Sequence, residues 1–175
     1  LVRWQHPDRG LISPLNFISL AEETGLIVPL GEWVLRTACC QQMEWIKSGN
    51  FVGKVAVNLS PRQFRQAKFP QKVASILAES GLPAKYLELE ITESCAMEHA
   101  GETINQLNEL NQMGLSLAID DFGTGYSSLA YLKRFPIHKL KIDRSFINDV
   151  HIDQNDAAIA KSIIDMAHNM MLSVV

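Results

Sequence analysis

Leu117-Ala118-Ile119-Asp120-Asp121-Phe122-Gly123-Thr124-Gly125-Tyr126-Ser127-Ser128 decides how this chain is read. An apolar strand runs into two adjacent carboxylates, then a glycine-broken loop, then a helix start. Two neighbouring acids at a strand end are costly unless a cation or a proton neutralises them. They therefore make a candidate metal site, and the glycine loop beside them a candidate phosphate cradle or gate.

The sequence around this stretch alternates strands with helical crossovers. Strands are expected over Val55–Asn58, Tyr86–Thr92, Leu115–Asp120, Lys139–Asp143 and from Leu172 onward. Leu1–Trp4 reads as the end of a further element. Helices are expected from Ser13-Pro14 to Gly25, over Gly31–Ser48, from Gln71 to Ser80, over Glu102–Met113, over Ser127–Arg134 and over Asp156–Met170. Ser-Pro pairs mark starts, and Gly25, Gly49, Gly81 and Gly114 mark stops. Strands joined by long helical crossovers are parallel and covered by helices.

Parity within the strands narrows the class. Val55, Val57, Leu87, Leu89, Ile91, Leu117, Ile119, Leu140 and Ile142 alternate with Ala56, Asn58, Glu88, Glu90, Thr92, Ser116, Ala118, Asp120, Lys139, Lys141 and Asp143. An antiparallel sheet with one wet face alternates in this way, but the helical crossovers disfavour it. An open doubly wound sheet has more continuously apolar strands. The pattern fits an α/β fold of the (β/α) barrel type, with aliphatic positions against the outer helices and small or charged positions in the lumen.

A barrel carries its chemistry at the C-terminal ends of its strands. Asn58, Glu90, Asp120, Asp121, Lys141 and Asp143 stand at such ends, with steps of 32 residues from 58 to 90, 30 from 90 to 120 and 21 from 120 to 141. A single acid in such a place is usually a solvated loop or capping residue. Four successive strands delivering an amide, a carboxylate, a carboxylate pair and a lysine to one rim are not. Oxygen ligands of this kind suit Mg²⁺ or Mn²⁺.

Composition excludes other classes. The 175 residues are 47% hydrophobic and 20% charged with a formal net charge of −3, as in a globular domain with one core. No apolar run approaches the ~20 residues of a membrane span. Mild acidity argues against a nucleic-acid polymer as partner. Three cysteines, two of them adjacent as Cys39 and Cys40, form no zinc spacing and read as free thiols buried in helices. The five histidines are scattered, which argues against zinc or histidine-centred catalysis. Asp121-Phe122-Gly123 matches a kinase magnesium tripeptide, but the glycine-rich lid and the H-R-D loop are absent. Lys139-Leu140-Lys141 is similar to the K-x-K base of enolase-like barrels, yet it follows the acidic strands where theirs precedes them.

A larger ordered set is more specific. Leu1-Val2-Arg3-Trp4, Ser13-Pro14-Leu15-Asn16-Phe17-Ile18, Ala21-Glu22-Glu23-Thr24-Gly25-Leu26-Ile27, Asn58-Leu59-Ser60-Pro61, Glu88-Leu89-Glu90-Ile91-Thr92-Glu93-Ser94, Asp120 through Ser128, and Lys139-Leu140-Lys141-Ile142-Asp143 occur in that order. Over its whole length the chain resembles the EAL domain, a bacterial phosphodiesterase of cyclic di-GMP on a modified TIM-type barrel. The resemblance implies two Mg²⁺ or Mn²⁺ ions with Asn58, Glu90, Asp120 and Asp121 among their ligands. It implies that Lys141 positions or deprotonates the attacking water, with Asp121 and Asp143 on the same catalytic rim. Glu93 would anchor the loop after the Asp-Asp pair. Leu1, Arg3, Pro14, Asn58 and Asp121 would contact the ligand, Arg3 at a phosphate and Pro14 near the guanine pocket.

The implied reaction is two-metal hydrolysis to linear pGpG. The implied setting is cytoplasmic, free or as part of a membrane-anchored multidomain protein. There the domain is fused to sensory or GGDEF-type domains, homodimerises through the helices after the fifth and sixth strands, and makes no membrane contact itself. The alternative is a degenerate EAL domain that binds cyclic di-GMP or a protein without cleaving. Of the name-giving Glu-Ala-Leu motif only Leu1 is present, and a further ligand glutamate would stand just beyond Val175. Residues 1–175 are therefore expected to be a single EAL domain fragment, an incomplete barrel inactive by itself.

Overall fold

In the computed structural model, which describes residues 2–50, 53–125 and 128–175, five parallel strands form one sheet. They are β3 (Val55–Asn58), β4 (Leu87–Thr92), β5 (Ser116–Phe122), β6 (Lys139–Ile142) and β7 (Ser173–Val174), after a separate pair, β1 (Trp4–His6) and β2 (Gly10–Ile12). The parallel strands lie in sequence order, each beside the one before it. That order is the arc of a barrel; a doubly wound sheet reverses direction at a switch point.

The helices between them are α1 (Ile18–Thr24), α2 (Ile27–Lys47), α3 (Pro61–Phe64), α4 (Phe69–Ser80), α5 (Glu93–Met97), α6 (Ala100–Gln112), α7 (Leu129–Leu132), α8 (Ser145–Asn148) and α9 (Gln154–Asn169). Leu87, Leu89, Leu117, Ile119 and Leu140 are buried on the outer face of the sheet. They share one apolar core with Leu35 and Cys39 of α2, Val73 and Ile76 of α4, Leu107 and Leu110 of α6, and Ile163 and Ala167 of α9. Gly31 of α2 lies against α3, where a Cβ would overlap the end of the Gln63 side chain and force it to turn aside.

Several boundaries differ from the sequence reading for identifiable reasons. Helix α2 begins at Ile27, ahead of the expected Gly31, because Pro29 lies in the first turn, where a missing N–H costs nothing. The expected first helix is split: a 3-10 turn over Pro14–Asn16 precedes α1, with Phe17 between them. Trp4 belongs to an antiparallel ribbon with Gly10–Ile12, not to the parallel sheet. Helices α5 and α8 are too short to show a helical period, and the sequence reading missed both. Helix α7 covers only the middle of the expected Ser127–Arg134, and Ser127, like Leu1 and Tyr126, lies outside the described residues. Trp33 and Trp45 are exposed, while Leu35, Cys39 and Gln42 are buried on the inner side of α2.

The cysteines divide. Cys39 and Cys95 are buried, and burial pushes both thiols up to about 11. Cys40, its neighbour on α2, is exposed and faces away from the core. A disulfide-exchange reagent at pH 8 is expected to modify one thiol per folded chain, at Cys40, and all three after unfolding. Mass mapping of the labelled peptides reads this directly, and rapid native labelling at Cys39 would contradict the packing of α2.

Candidate active site

Strand register builds the site. Asn58 pairs with Glu90, Glu90 with Ala118, Thr92 with Asp120, and Ala118 with Lys139. Side chains in a strand alternate between faces, so Glu88, Glu90, Ser116, Ala118, Asp120, Lys139 and Lys141 share the face opposite the apolar core. The small Ser116 and Ala118 of β5 leave room for lysines from β6 to cross to β4.

Lys141 makes that crossing. Its Nζ donates to Glu90 Oε2 at 2.8 Å and to Asp120 Oδ2 at 2.7 Å. Burial alone would lower its pKa; the hydrogen bonds and charges of Asp120 and Glu90 outweigh burial and hold it above the ordinary lysine value. Asn58 closes the other side. With its nitrogen inward, its amide donates to Glu90 Oε2 at 3.2 Å and to Asp120 Oδ2 at 3.3 Å.

Among the described residues, no three His, Cys, Asp or Glu side chains converge as a metal cluster. The convergent donors are two carboxylates and an amide. Such an all-oxygen set fits a hard divalent ion of the magnesium or manganese type.

Asp121 stands apart from this cluster. Its φ of +53° is left-handed, and the β5–β6 register shifts between Ile119 and Phe122. Its N–H donates to Asp120 Oδ1 at 3.1 Å, and its carbonyl accepts from Thr124 Oγ1 at 2.9 Å. Its carboxyl pKa is raised by burial first, then by the charges of Asp120 and Asp143, with Lys141 opposing. Asp143 is held below the usual carboxylate range by hydrogen bonds from the Ser145 hydroxyl and backbone N–H. The sequence reading missed Ser145 and Thr124, although an Asp followed two residues later by Ser is an Asx-turn pattern.

Glu93 opens α5 and is 1% exposed. Its Oε2 accepts from the Gly123 N–H at 2.7 Å and from the Gly125 N–H at 3.4 Å. Gly123 has φ +104°, and a Cβ there would come within 2.7 Å of the Phe146 ring. The carboxylate of β4's following helix thus ties down the glycine loop of β5.

The structure brings together Asn58, Glu90, Asp120 and Lys141, with Asp121 and Asp143 on the rim and Glu93 behind the loop. Arg3 and Pro14 lie outside the parallel sheet, before the ribbon and at the 3-10 turn. Leu1 lies outside the described residues. One tier below the cluster, Lys139 Nζ donates to Glu88 Oε1 at 2.6 Å.

Comparison with known proteins shows the family of the chain. The EAL domain family matches residues 1–175. The bifunctional diguanylate cyclase/cyclic di-GMP phosphodiesterase MucR of Pseudomonas aeruginosa is 48% identical over 175 residues, all of this chain and 26% of MucR. The cyclic di-GMP phosphodiesterase NbdA of the same organism is 47% identical, again over all of this chain and 22% of NbdA. The chain therefore spans about a quarter of the length of these relatives. The solved structure of the PaMucR phosphodiesterase in complex with c-di-GMP superposes with a TM-score of 0.96 at 48% identity, covering 99% of this chain and 70% of that one. Residues 1–175 carry the α/β fold of the EAL barrels, and the chain belongs to the EAL domain family.

Proposed function

We propose that the protein containing this chain hydrolyses cyclic di-GMP to linear pGpG. The observation that carries this reading is the register-built cluster of Asn58, Glu90, Asp120 and Lys141 in a fold 48% identical to a c-di-GMP-bound phosphodiesterase. Asn58, Glu90, Asp120 and Asp121 would hold Mg²⁺ or Mn²⁺, which supplies Lewis-acid polarisation of the phosphoryl oxygens and acidifies water at the site.

The chain's own groups divide the remaining work. Lys141, held protonated between two carboxylates, donates a hydrogen bond toward the attacking water or the phosphate and orients it. Asp121 and Asp143 keep the rim anionic and exclude a second unshielded anion until a cation is present. Glu93 holds the glycine loop that carries Asp121. Arg3 and Pro14 are assigned to the phosphate and guanine ends of the ligand. The working protein is a cytoplasmic signalling protein with fused domains and a dimeric EAL unit. Among the described residues, no helix is long and apolar enough to cross a membrane.

Two substitutions test this in the full-length protein. Asp120→Asn removes a ligand charge while keeping the shape, and turnover is expected to fall by more than about 100-fold, beyond the 10- to 100-fold typical of outer partners. Pre-steady-state release of pGpG in Mn²⁺ measures it; turnover at the unaltered rate would refute the ligand assignment. Retained c-di-GMP binding in an unaltered protein that never releases pGpG would favour a receptor.

Glu93→Gln swaps a charged acceptor of two loop N–H groups for an amide. The loss of charge-assisted hydrogen bonds is expected to destabilise the fold by about 1.5–3 kcal/mol and to lower kcat by roughly 10- to 100-fold, with a smaller change in KM. Urea unfolding and steady-state kinetics read the two effects separately, and an unchanged kcat would show that the loop needs no anchor.

A further inference from the structure

Below the proposed metal cluster lies a second ion pair that the reaction does not use. Glu88 has a side chain only 4% exposed, and its partner Lys139 is 28% exposed. Both lie on the lumen face with Glu90 and Lys141. Each lysine reaches the carboxylate 51 residues before it, so the two pairs repeat one diagonal pattern.

The register also sets Lys139 close to a second carboxylate, Glu90. Lys139 is level with Ala118, and Ala118 is level with Glu90. Straight across, two strand spacings put the Cα atoms of Lys139 and Glu90 roughly 9.6 Å apart; the diagonal to Glu88 is about 12 Å. Only the small Ala118 intervenes on that face. Lys139 could therefore meet Glu90, yet its ammonium is drawn one pleat down to Glu88.

We propose that Glu88 is a positioning residue that sequesters Lys139 and so keeps Glu90 available to Lys141 and to a divalent cation. This rests on the metal-site reading above. Were Glu88 neutral, the half-buried Lys139 ammonium would find its nearest anion in Glu90. Glu90 would then face two ammonium groups, and its attraction for a divalent cation would fall. The pair gives each lysine a carboxylate of its own and leaves Glu90 with a single ammonium.

The test is Mn²⁺ titration of the full-length protein, followed by the electron paramagnetic resonance signal of the free ion, a readout independent of turnover. Glu88→Gln is expected to weaken Mn²⁺ binding by roughly 10- to 100-fold, the range for groups that support metal ligands. Adding Lys139→Met to it is expected to restore the affinity, because no stray ammonium remains. Glu88→Asp, which keeps the anion, should bind close to normally. An unchanged affinity in Glu88→Gln, or a double variant that stays weak, overturns the proposal. If Glu88→Gln does not fold, Glu88→Ser takes its place, with the same weakening of Mn²⁺ binding expected and an unchanged affinity overturning the proposal. Absence of Mn²⁺ binding by the unaltered protein overturns the metal-site reading and this proposal with it; binding that is normal there and unmoved in the variants overturns this proposal alone.

Discussion

The Lys141 ammonium, shared by Glu90 and Asp120, is the constraint on which the rest of the site depends. It joins three strands, and each partner reaches it only because β4, β5 and β6 are in one particular register. Slipping any of these strands by one residue would turn its charge into the apolar shell and a leucine or isoleucine into the lumen. The aliphatic half of the alternation therefore enforces the position of the charged half. Packing specifies the site, although the packed residues never touch a ligand.

The same division explains where stability resides. Burying carboxylates and an ammonium in the lumen gains little, because desolvation offsets most of their attraction. Leu87, Leu89, Leu117, Ile119 and Leu140 against α2, α4, α6 and α9 carry the fold. At roughly 25 cal/mol per Å² of apolar surface buried, each such side chain contributes about 1.5–3 kcal/mol. A shell of that strength tolerates a lumen optimised for charge and not for burial.

The period-two alternation and the helix punctuation were legible in the sequence, and so was the set Asn58, Glu90, Asp120 and Lys141. These depend on local pattern and on one residue per βα unit. What was not legible depends on geometry across strands. That Lys139 pairs with Glu88, although register sets it level with Glu90, follows from side-chain direction across the tilted strands. The β1–β2 ribbon has no alternation to betray it, and α5 and α8 are shorter than a hydrophobic period. Which face of α2 is buried, with Cys39 and Gln42 inside and Trp33 and Trp45 outside, is set by packing against its neighbours and has no simple counterpart in the apolar pattern.

Asp120 and Asp121 pose the one problem that alternation cannot solve. Consecutive strand residues point to opposite faces, so a regular β5 would send one carboxylate to the lumen and the other into the helix layer. The chain escapes by leaving the pleat at Asp121, with φ +53° and the register shift against β6. A non-glycine residue held there costs about 1–3 kcal/mol, and aspartate is among the residues that tolerate it best. Three contacts hold the distortion: Asp120 Oδ1 on the Asp121 N–H, Thr124 Oγ1 on its carbonyl, and Glu93 on Gly123 just beyond. The glycines follow from the same geometry, since the chain must turn back at once over the buried Glu93 and past Phe146 with no room for a Cβ. The Asp-Asp-Phe-Gly-Thr-Gly order is thus a mechanical solution for keeping a second carboxylate at the rim, and the loop it creates is tied to β4 through the carboxylate that opens α5.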